Sequence, residues 1–190
     1  MKEDIVMEYA RIVEIAWVIG PSDRSRPPDI NKSRLVCPDG FQISSKATDK
    51  CHKITNEMAL RDGVPLAVAL CDFMRDVTDA FARGGKLVSH HIEFDAGIIS
   101  HELRRCGFES LQTAWDKVAG KGVCTMHPEI GEWVQRCANT ERDNHVLSLD
   151  TLASMTLPAD HVALKAPRHR AGPDAMLTYL IYVAMLSALD

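Results

Sequence analysis

The stretch RIVEIAWVI, residues 11–19, decides the fold class. β-Branched and apolar residues fill it and a Gly-Pro pair ends it, which predicts a largely buried β-strand. Its single acidic residue, Glu14, shares a strand face with Ile12 and Ala16, because alternate residues of a strand point to the same side. This alternation favours a structural role for Glu14 over a chemical one.

Helix patterns alternate with further strand candidates along the rest of the chain. The spacing of Leu66, Leu70, Phe73, Val77 and Phe81 predicts one face of an amphipathic helix. The other predictions are short strands at 34–40, 41–44, 86–91 and 122–126, an exposed loop at 21–33, a short helix capped by Thr55, helices at 93–106, around 130–134 and at 147–157, and a strongly apolar last helix at 175–186. Strands interleaved with helices indicate one α/β domain over residues 1–190.

Composition limits the class of protein. The chain has 190 residues, 46% of them hydrophobic and 25% charged, which is typical of a globular domain. No apolar run reaches the length of a membrane span, and the first residues lack the basic-then-apolar order of a secretory signal. We therefore expect an intracellular protein with no membrane partner. Its six cysteines show no CxxC spacing, so we expect free, mostly buried thiols.

The net charge of −4 argues against a protein that grips nucleic acid through a general positive surface. A metal-dependent nuclease escapes this objection, because bound cations neutralise phosphate and their ligands are carboxylates. No GxGxxG follows a predicted strand and no GxSxG occurs, which argues against a Rossmann dinucleotide site and a Ser/His/Asp hydrolase.

HHIEFDAGII, residues 90–99, is the first candidate site. Asp95 lies in the first turn of a predicted helix, four residues before Ile99, so it projects from the same face as the buried stripe. A carboxylate there is well placed to hold a cation. On spacing alone, the simpler interpretation is that Asp95 complements the positive end of the helix dipole. His90 and His91 point to opposite faces of a strand, so we do not expect them to bind one ion together.

HRAGPDAM, residues 169–176, is the second candidate site. Pro173 fits the first turn of a helix, so Asp174 would stand at the helix start and His169 on the preceding loop. This arrangement would separate a metal-binding carboxylate from an imidazole that can take a proton from water near neutral pH. By itself, an exposed loop histidine followed by an acid at a helix start is again the simpler interpretation.

Taken together, HHIEFD and HRAGPDA resemble the second and third motifs of the DEDDh 3′→5′ exonucleases, a family with a ribonuclease H-like fold. RIVEIAWVI resembles the strand that follows the first motif of that family. Residues 50–74 resemble its stretch from the third strand into the first long helix. The resemblance implies a mixed β-sheet flanked by helices, with the first central strand missing or truncated in this chain.

The resemblance also implies a two-metal mechanism. Asp95 and Asp174 would be two of four carboxylates that hold two Mg²⁺ or Mn²⁺ ions, and His169 would be the general base on the attacking water. Nucleoside monophosphates would leave one at a time from the 3′ end of a single DNA or RNA strand. His91, which stands where the family often has asparagine, and Phe94 would lie next to the substrate, with Phe94 mainly anchoring its helix in the core.

The first motif of the family, Asp-x-Glu, is absent. Glu3, Asp4 and Glu8 are the only acids before residue 11, and their spacing does not match. The resemblance leaves three interpretations open. The chain would be an N-terminally incomplete exonuclease domain, or a degenerate homologue that keeps the fold as a nucleic-acid-binding or protein-binding module. In the third, DIVME, residues 4–8, would form a makeshift first strand. The two intact motifs favour the first interpretation. We expect weak metal binding and slow hydrolysis, because two carboxylates poorly compensate two divalent cations.

Overall fold

The structure is a computed structural model that describes residues 10–23, 25–140, 143–165 and 169–188. The strands are β1 (Glu14–Ile19), β2 (Ile30–Leu35), β3 (Val88–Ser89) and β4 (Val123–Cys124). The helices are α1 (Ser45–Ala47, continued by a π-helical turn at Thr48–His52), α2 (Asn56–Asp62), α3 (Leu66–Ala82), α4 (Ile92–Arg105), α5 (Glu109–Ala119), α6 (Pro128–Cys137), α7 (Leu149–Thr156) and α8 (Ala171–Ser187), with a 3₁₀ turn at Val162–Lys165. Within these ranges, no helix combines the length and the apolar character needed to cross a membrane.

The four strands form two separate two-stranded sheets. β1 and β2 pair antiparallel along six residues, with Glu14 opposite Leu35 and Ile19 opposite Ile30. β3 and β4 pair in parallel over two residues each. The predicted α/β class is therefore confirmed, whereas one continuous mixed sheet is not formed by the described strands, since none of them joins β1 to β3.

Three aromatic rings hold β1 against the helices behind it. The Trp17 ring meets Phe73 of α3 edge-on with the centroids 5.5 Å apart, and Phe73 meets Trp115 of α5 at the same separation. The Trp17 indole N–H also donates to the buried carboxylate of Asp76 at 2.9 Å. The same carboxylate accepts a second hydrogen bond, from the Lys32 ammonium of β2, at 2.6 Å. Because these rings bury large apolar areas, they fix the β1–β2 sheet on α3 and α5.

The last helix, α8, packs against both sheets and a second core cluster. This helix is strongly apolar, as predicted, but it is less deeply packed than expected: its buried residues are Leu177, Thr178, Ile181, Val183 and Met185, and most of the others are half-buried. The buried members of the cluster come from α6, α7, α8 and the segments that flank α7: Val134, Leu147, Leu152, Ala153, Leu157, Leu177, Ile181 and Met185.

Several local predictions are confirmed. The helix predicted from the 66–81 stripe is α3, and the Thr55 hydroxyl caps α2 by accepting the Met58 N–H at 3.1 Å. The strands predicted at 86–91 and 122–126 contain the shorter β3 and β4, and the helix predicted at 93–106 is α4.

Other local predictions are wrong. Residues 41–44 form no strand, because the Asn56 side chain takes both backbone groups of Ile43, accepting its N–H at 2.9 Å and donating to its carbonyl at 3.0 Å. β2 occupies the end of the predicted loop at 21–33, where Lys32 and Ser33 each bond to side chains outside β2. The six thiols are free, as expected, but each is exposed or half-buried rather than buried.

Candidate functional site

A cavity of about 1230 Å³ is lined by both sheets. Every residue from Arg11 to Ser22 and from Arg83 to Ile92 lines it. Because successive side chains of a strand point to opposite faces, a cavity lined by consecutive residues of β1 and β3 must face the edges of these strands. We call β1 with the start of α8 the β1 wall, and β3 with the start of α4 the β3 wall.

Glu14 fixes the start of α8 on β1. Its carboxylate accepts hydrogen bonds from the Arg170 guanidinium at 2.9 and 3.0 Å, the Ala171 backbone N–H at 2.8 Å and the Ser33 hydroxyl at 3.0 Å. The Glu14 side chain is only 7% exposed. Burial alone would raise the pKa of Glu14, but these donors outweigh it and hold the pKa below its ordinary value. The predicted structural role of Glu14 is confirmed by these contacts.

His169 and Asp174 flank this anchor on the β1 wall. His169 is exposed, lies on the loop before α8 and has a φ of 61°, in the left-handed region that non-glycine residues rarely adopt. Asp174 is in the first turn of α8, as predicted, and its Oδ1 atom is buried. Both residues line the cavity. A strained loop backbone of this kind is common at functional sites.

Asp95 faces the same cavity from the β3 wall. It lies in the first turn of α4, as predicted, and accepts a hydrogen bond from the Ser89 hydroxyl at the end of β3. The residue as a whole is exposed, but protein atoms around its carboxyl group remove part of the water that would solvate the charge. This burial raises the pKa of Asp95 above its ordinary value, against the lowering effects of the Ser89 hydroxyl and of the charge on His91. The groups that set the pKa of Asp95 thus include no lysine or arginine.

His91 and Phe94 stand at the start of α4, where their rings stack with centroids 5.7 Å apart and planes 13° from parallel. Phe94 is 38% exposed, and both rings line the cavity. The expectation that Phe94 anchors its helix in the core is therefore wrong. Ile99 and Leu103, one and two turns further along α4, take that place instead.

His90 diverges from His91. Its Nδ1 atom lies 3.0 Å from the Thr125 hydroxyl, next to β4, whereas His91 stacks on Phe94. Burial lowers the pKa of His90, and the charge on His91 lowers it further, although a bond with the backbone of Leu147 raises it. The two rings therefore contact different neighbours, although both residues lie in the turn after β3 and not in the predicted strand.

The donors present suit a divalent cation in kind but not in number. Asp95 and Asp174 offer the carboxylate oxygens that Mg²⁺ and Mn²⁺ prefer. Glu14 is already bonded to Arg170. Within the described ranges, no three His, Cys, Asp or Glu side chains are grouped closely enough to hold one ion. Glu3, Asp4 and Glu8, and with them the hypothesis that DIVME forms a strand, lie outside the described residues.

Two residues that line the cavity, Ser89 and Asp150, and one beside it, Arg170, were not identified from the sequence. Arg170 pairs with Glu14 although 156 positions separate the two residues in the sequence, and no local pattern indicates such a contact. Ser89 could have been noticed as a hydroxyl six residues before Asp95, at the end of a predicted strand. Asp150, in the first turn of α7, also lines the cavity, and its SLD sequence carries a recognisable helix-start signal.

All five residues predicted for the site line this one cavity: His91, Phe94, Asp95, His169 and Asp174. No family model, curated protein or solved structure matches the chain. The side chains that line the cavity, and the motifs that contain them, are therefore the features that indicate a function.

Proposed function

We propose that this chain is a 3′→5′ exonuclease of the DEDDh type, with a ribonuclease H-like fold, that acts inside the cell on the 3′ end of a single nucleic-acid strand. The observation that carries the proposal is that His169, Asp174 and Asp95 line one cavity although two distant motifs supply them. A histidine and two carboxylates around one open cavity are among the groups that metal-assisted phosphodiester hydrolysis uses.

Each residue has a distinct role in the proposal. The exposed imidazole of His169 takes a proton from the attacking water, and the Glu14–Arg170 pair holds its loop on β1. Asp95 and Asp174 would hold Mg²⁺ or Mn²⁺, which when bound neutralises phosphate and makes water more acidic. The raised pKa of Asp95 supports this role, because a cation nearby would relieve the cost of keeping that carboxyl group ionised.

The test is hydrolysis of a single strand labelled at its 5′ end, with Mn²⁺ or Mg²⁺. We expect the full-length protein to give a slow ladder of products shortened from the 3′ end. His169→Ala, Asp95→Asn and Asp174→Asn should each slow it by at least about 100-fold, since each removes the base or a cation ligand. Asp160→Asn, an exposed carboxylate outside the cavity, should leave the rate unchanged. A protein that gives no ladder with either cation overturns the catalytic proposal.

One observation favours a second candidate, a module on the same fold that binds nucleic acid without cutting it. This observation is the shortage of cation ligands within the described ranges. Fluorescence anisotropy of a labelled single strand separates the two candidates. Binding without a ladder identifies the module, whereas binding with a ladder that the three variants lose identifies the enzyme.

A further inference from the structure

Glu102, near the end of α4, is a buried carboxylate that the proposed mechanism does not use. The residue is 0% exposed. Its Oε2 atom accepts a hydrogen bond from the Arg105 guanidinium at 2.6 Å, and its Oε1 atom accepts one from the Ile12 backbone N–H at 3.4 Å. Because a carboxylate is costly to bury without charged or hydrogen-bonding partners, these two donors compensate for the position of Glu102 in the core.

The bond to Ile12 joins the two walls of the cavity. Ile12 lines the cavity two residues before β1, and α4 carries Asp95 on the β3 wall. The Val13 carbonyl accepts the Val36 N–H, so the backbone of Val13 faces β2 and the amide of Ile12 faces the opposite edge. Glu102 therefore reaches the cavity edge of the β1 segment from the helix that carries Asp95.

Asp95 and Glu102 lie on the same face of α4. They are seven residues apart, about two turns, which separates them by roughly 10 Å along the helix axis. Ile99 lies between them and Leu103 follows, and both are buried. A bond at Glu102 therefore restricts both the rotation of α4 about its axis and its separation from β1. These two quantities decide where Asp95 stands relative to Asp174 on the opposite wall.

We propose that Glu102 is a positioning residue, which holds Asp95 at the separation from Asp174 that lets both carboxylates bind one divalent cation. Glu102 acts through the Ile12 amide and contacts neither the cation nor the substrate. This inference rests on the proposed function and deepens it, because it names what keeps the cation ligands of the two walls together.

The experiment measures Mn²⁺ binding to the full-length protein by electron paramagnetic resonance of the free ion. Glu102→Leu keeps the core filled but leaves Ile12 without its acceptor, so it should weaken Mn²⁺ binding about tenfold, a loss typical of a residue that supports a metal ligand. Glu102→Gln keeps an acceptor oxygen and should bind nearly as tightly as the wild type. The matched control is Glu132→Leu, which removes an exposed carboxylate beside Arg136 outside the cavity and should bind like the wild type.

A second background separates positioning from a purely structural role. Asp174→Asn leaves a ligand on one wall only, so adding Glu102→Leu to it should cause no further loss of Mn²⁺ binding. The same loss in both backgrounds would refute the positioning role. If Glu102→Leu does not fold, Glu102→Asp decides the question, because it keeps a charge beside Arg105 while its shorter side chain withdraws from Ile12. It should show the same loss as expected for Glu102→Leu, and wild-type affinity would refute the role.

These outcomes are distinct from a failure of the proposed function. A wild type that binds Mn²⁺, and that loses affinity with Asp95→Asn and Asp174→Asn but not with Glu102→Leu, keeps the cation site and loses only the positioning role. A wild type that binds no Mn²⁺ refutes the cation site and the positioning role together.

Discussion

The two walls of the cavity are built from the same kind of sequence but are held very differently. On each wall, a histidine precedes a helix that carries an aspartate in its first turn, Asp174 on the β1 wall and Asp95 on the β3 wall. β1 pairs with β2 along six residues, whereas β3 pairs with β4 along only two. Four hydrogen bonds to Glu14 tie the β1 wall together, and one from Ser89 supports Asp95.

The difference shows how neighbouring charges set the pKa of a carboxylate that protein atoms partly desolvate. Burial opposes ionisation of both Glu14 and Asp95. The charge and hydrogen bonds of Arg170 outweigh burial for Glu14, so the Glu14 carboxylate is ionised, paired and structural. Burial dominates for Asp95, because the neutral Ser89 hydroxyl and His91 offset it only in part, so the pKa of Asp95 is raised. The β1 wall is therefore held by a charged anchor, and the β3 wall carries the carboxylate that we propose as a cation ligand.

Removal of the anchor should have the largest effect on stability. Glu14→Ala leaves the Arg170 guanidinium and the Ala171 N–H without their carboxylate, which should lower the free energy of unfolding by about 2–4 kcal/mol. This range allows for the 30% exposure of the Arg170 side chain. The measurement is urea denaturation followed by the fluorescence of the three tryptophans, Trp17, Trp115 and Trp133.

The matched control is Glu132→Ala, which removes an exposed carboxylate 3.6 Å from Arg136 on α6. Such a surface pair contributes little, so a change within about 0.5 kcal/mol is expected. The effect of Glu14 also has a defined pH dependence. Because its folded pKa is lowered, its contribution is complete above the ordinary value of 4.5 and is lost as pH falls through the folded pKa. Equal losses in the two variants at pH 7 would contradict the role of Glu14 as an anchor.

The correct predictions from the sequence concern single elements of secondary structure. The alternation of RIVEIAWVI located β1, the three- and four-residue spacing located α3, and Pro173 located the start of α8, because each signal is contained within one element. Asp95, His169 and Asp174, which the motifs single out, line one cavity, and their roles stay predictions. Secondary structure and the histidine–aspartate arrangement follow from neighbours in the chain.

What the sequence did not predict depends on distant contacts. The Glu14–Arg170 pair joins two ends of the chain, and Asn56 removes Ile43 from strand pairing with a side chain from another segment. The exposure of Phe94 has the same origin. Its position in a strand–helix motif suggests a core residue, but no described strand lies between β1 and β3 to cover it. Burial is a property of the whole assembly of elements.

The two edges of β1 offer a smaller and more local comparison. The Val36 N–H donates to the Val13 carbonyl, so by alternation the amides of Ile15 and Trp17 face β2 and those of Ala16 and Val18 face the cavity. We expect hydrogen exchange measured by NMR to be at least about tenfold slower at Ile15 and Trp17, a difference of about 1.4 kcal/mol. Equal protection along β1 would show that a further strand pairs with its cavity edge.

The smallest expected effect is a gain in stability, opposite in sign to the loss expected for Glu14→Ala. Asp95→Asn should stabilise the protein at pH 7, by a few tenths to about 1 kcal/mol in EDTA after allowance for screening at this exposed residue. Because the folded pKa of Asp95 is raised, its cost appears as pH rises above the ordinary value of 3.8 and is complete above the folded pKa. Wild type and variant should therefore be equally stable near pH 3.

Mn²⁺ sharpens this last prediction. If Asp95 holds a cation, Mn²⁺ should stabilise the wild type more than Asp95→Asn and so reduce or invert the difference between them. Asp79→Asn, which removes an exposed partner of Arg83, should change the free energy of unfolding by less than about 0.5 kcal/mol, with or without Mn²⁺. A clear loss of stability in Asp95→Asn in EDTA would mean that Asp95 already has a strong partner and is a second anchor like Glu14. The contrast between the two walls would then be wrong.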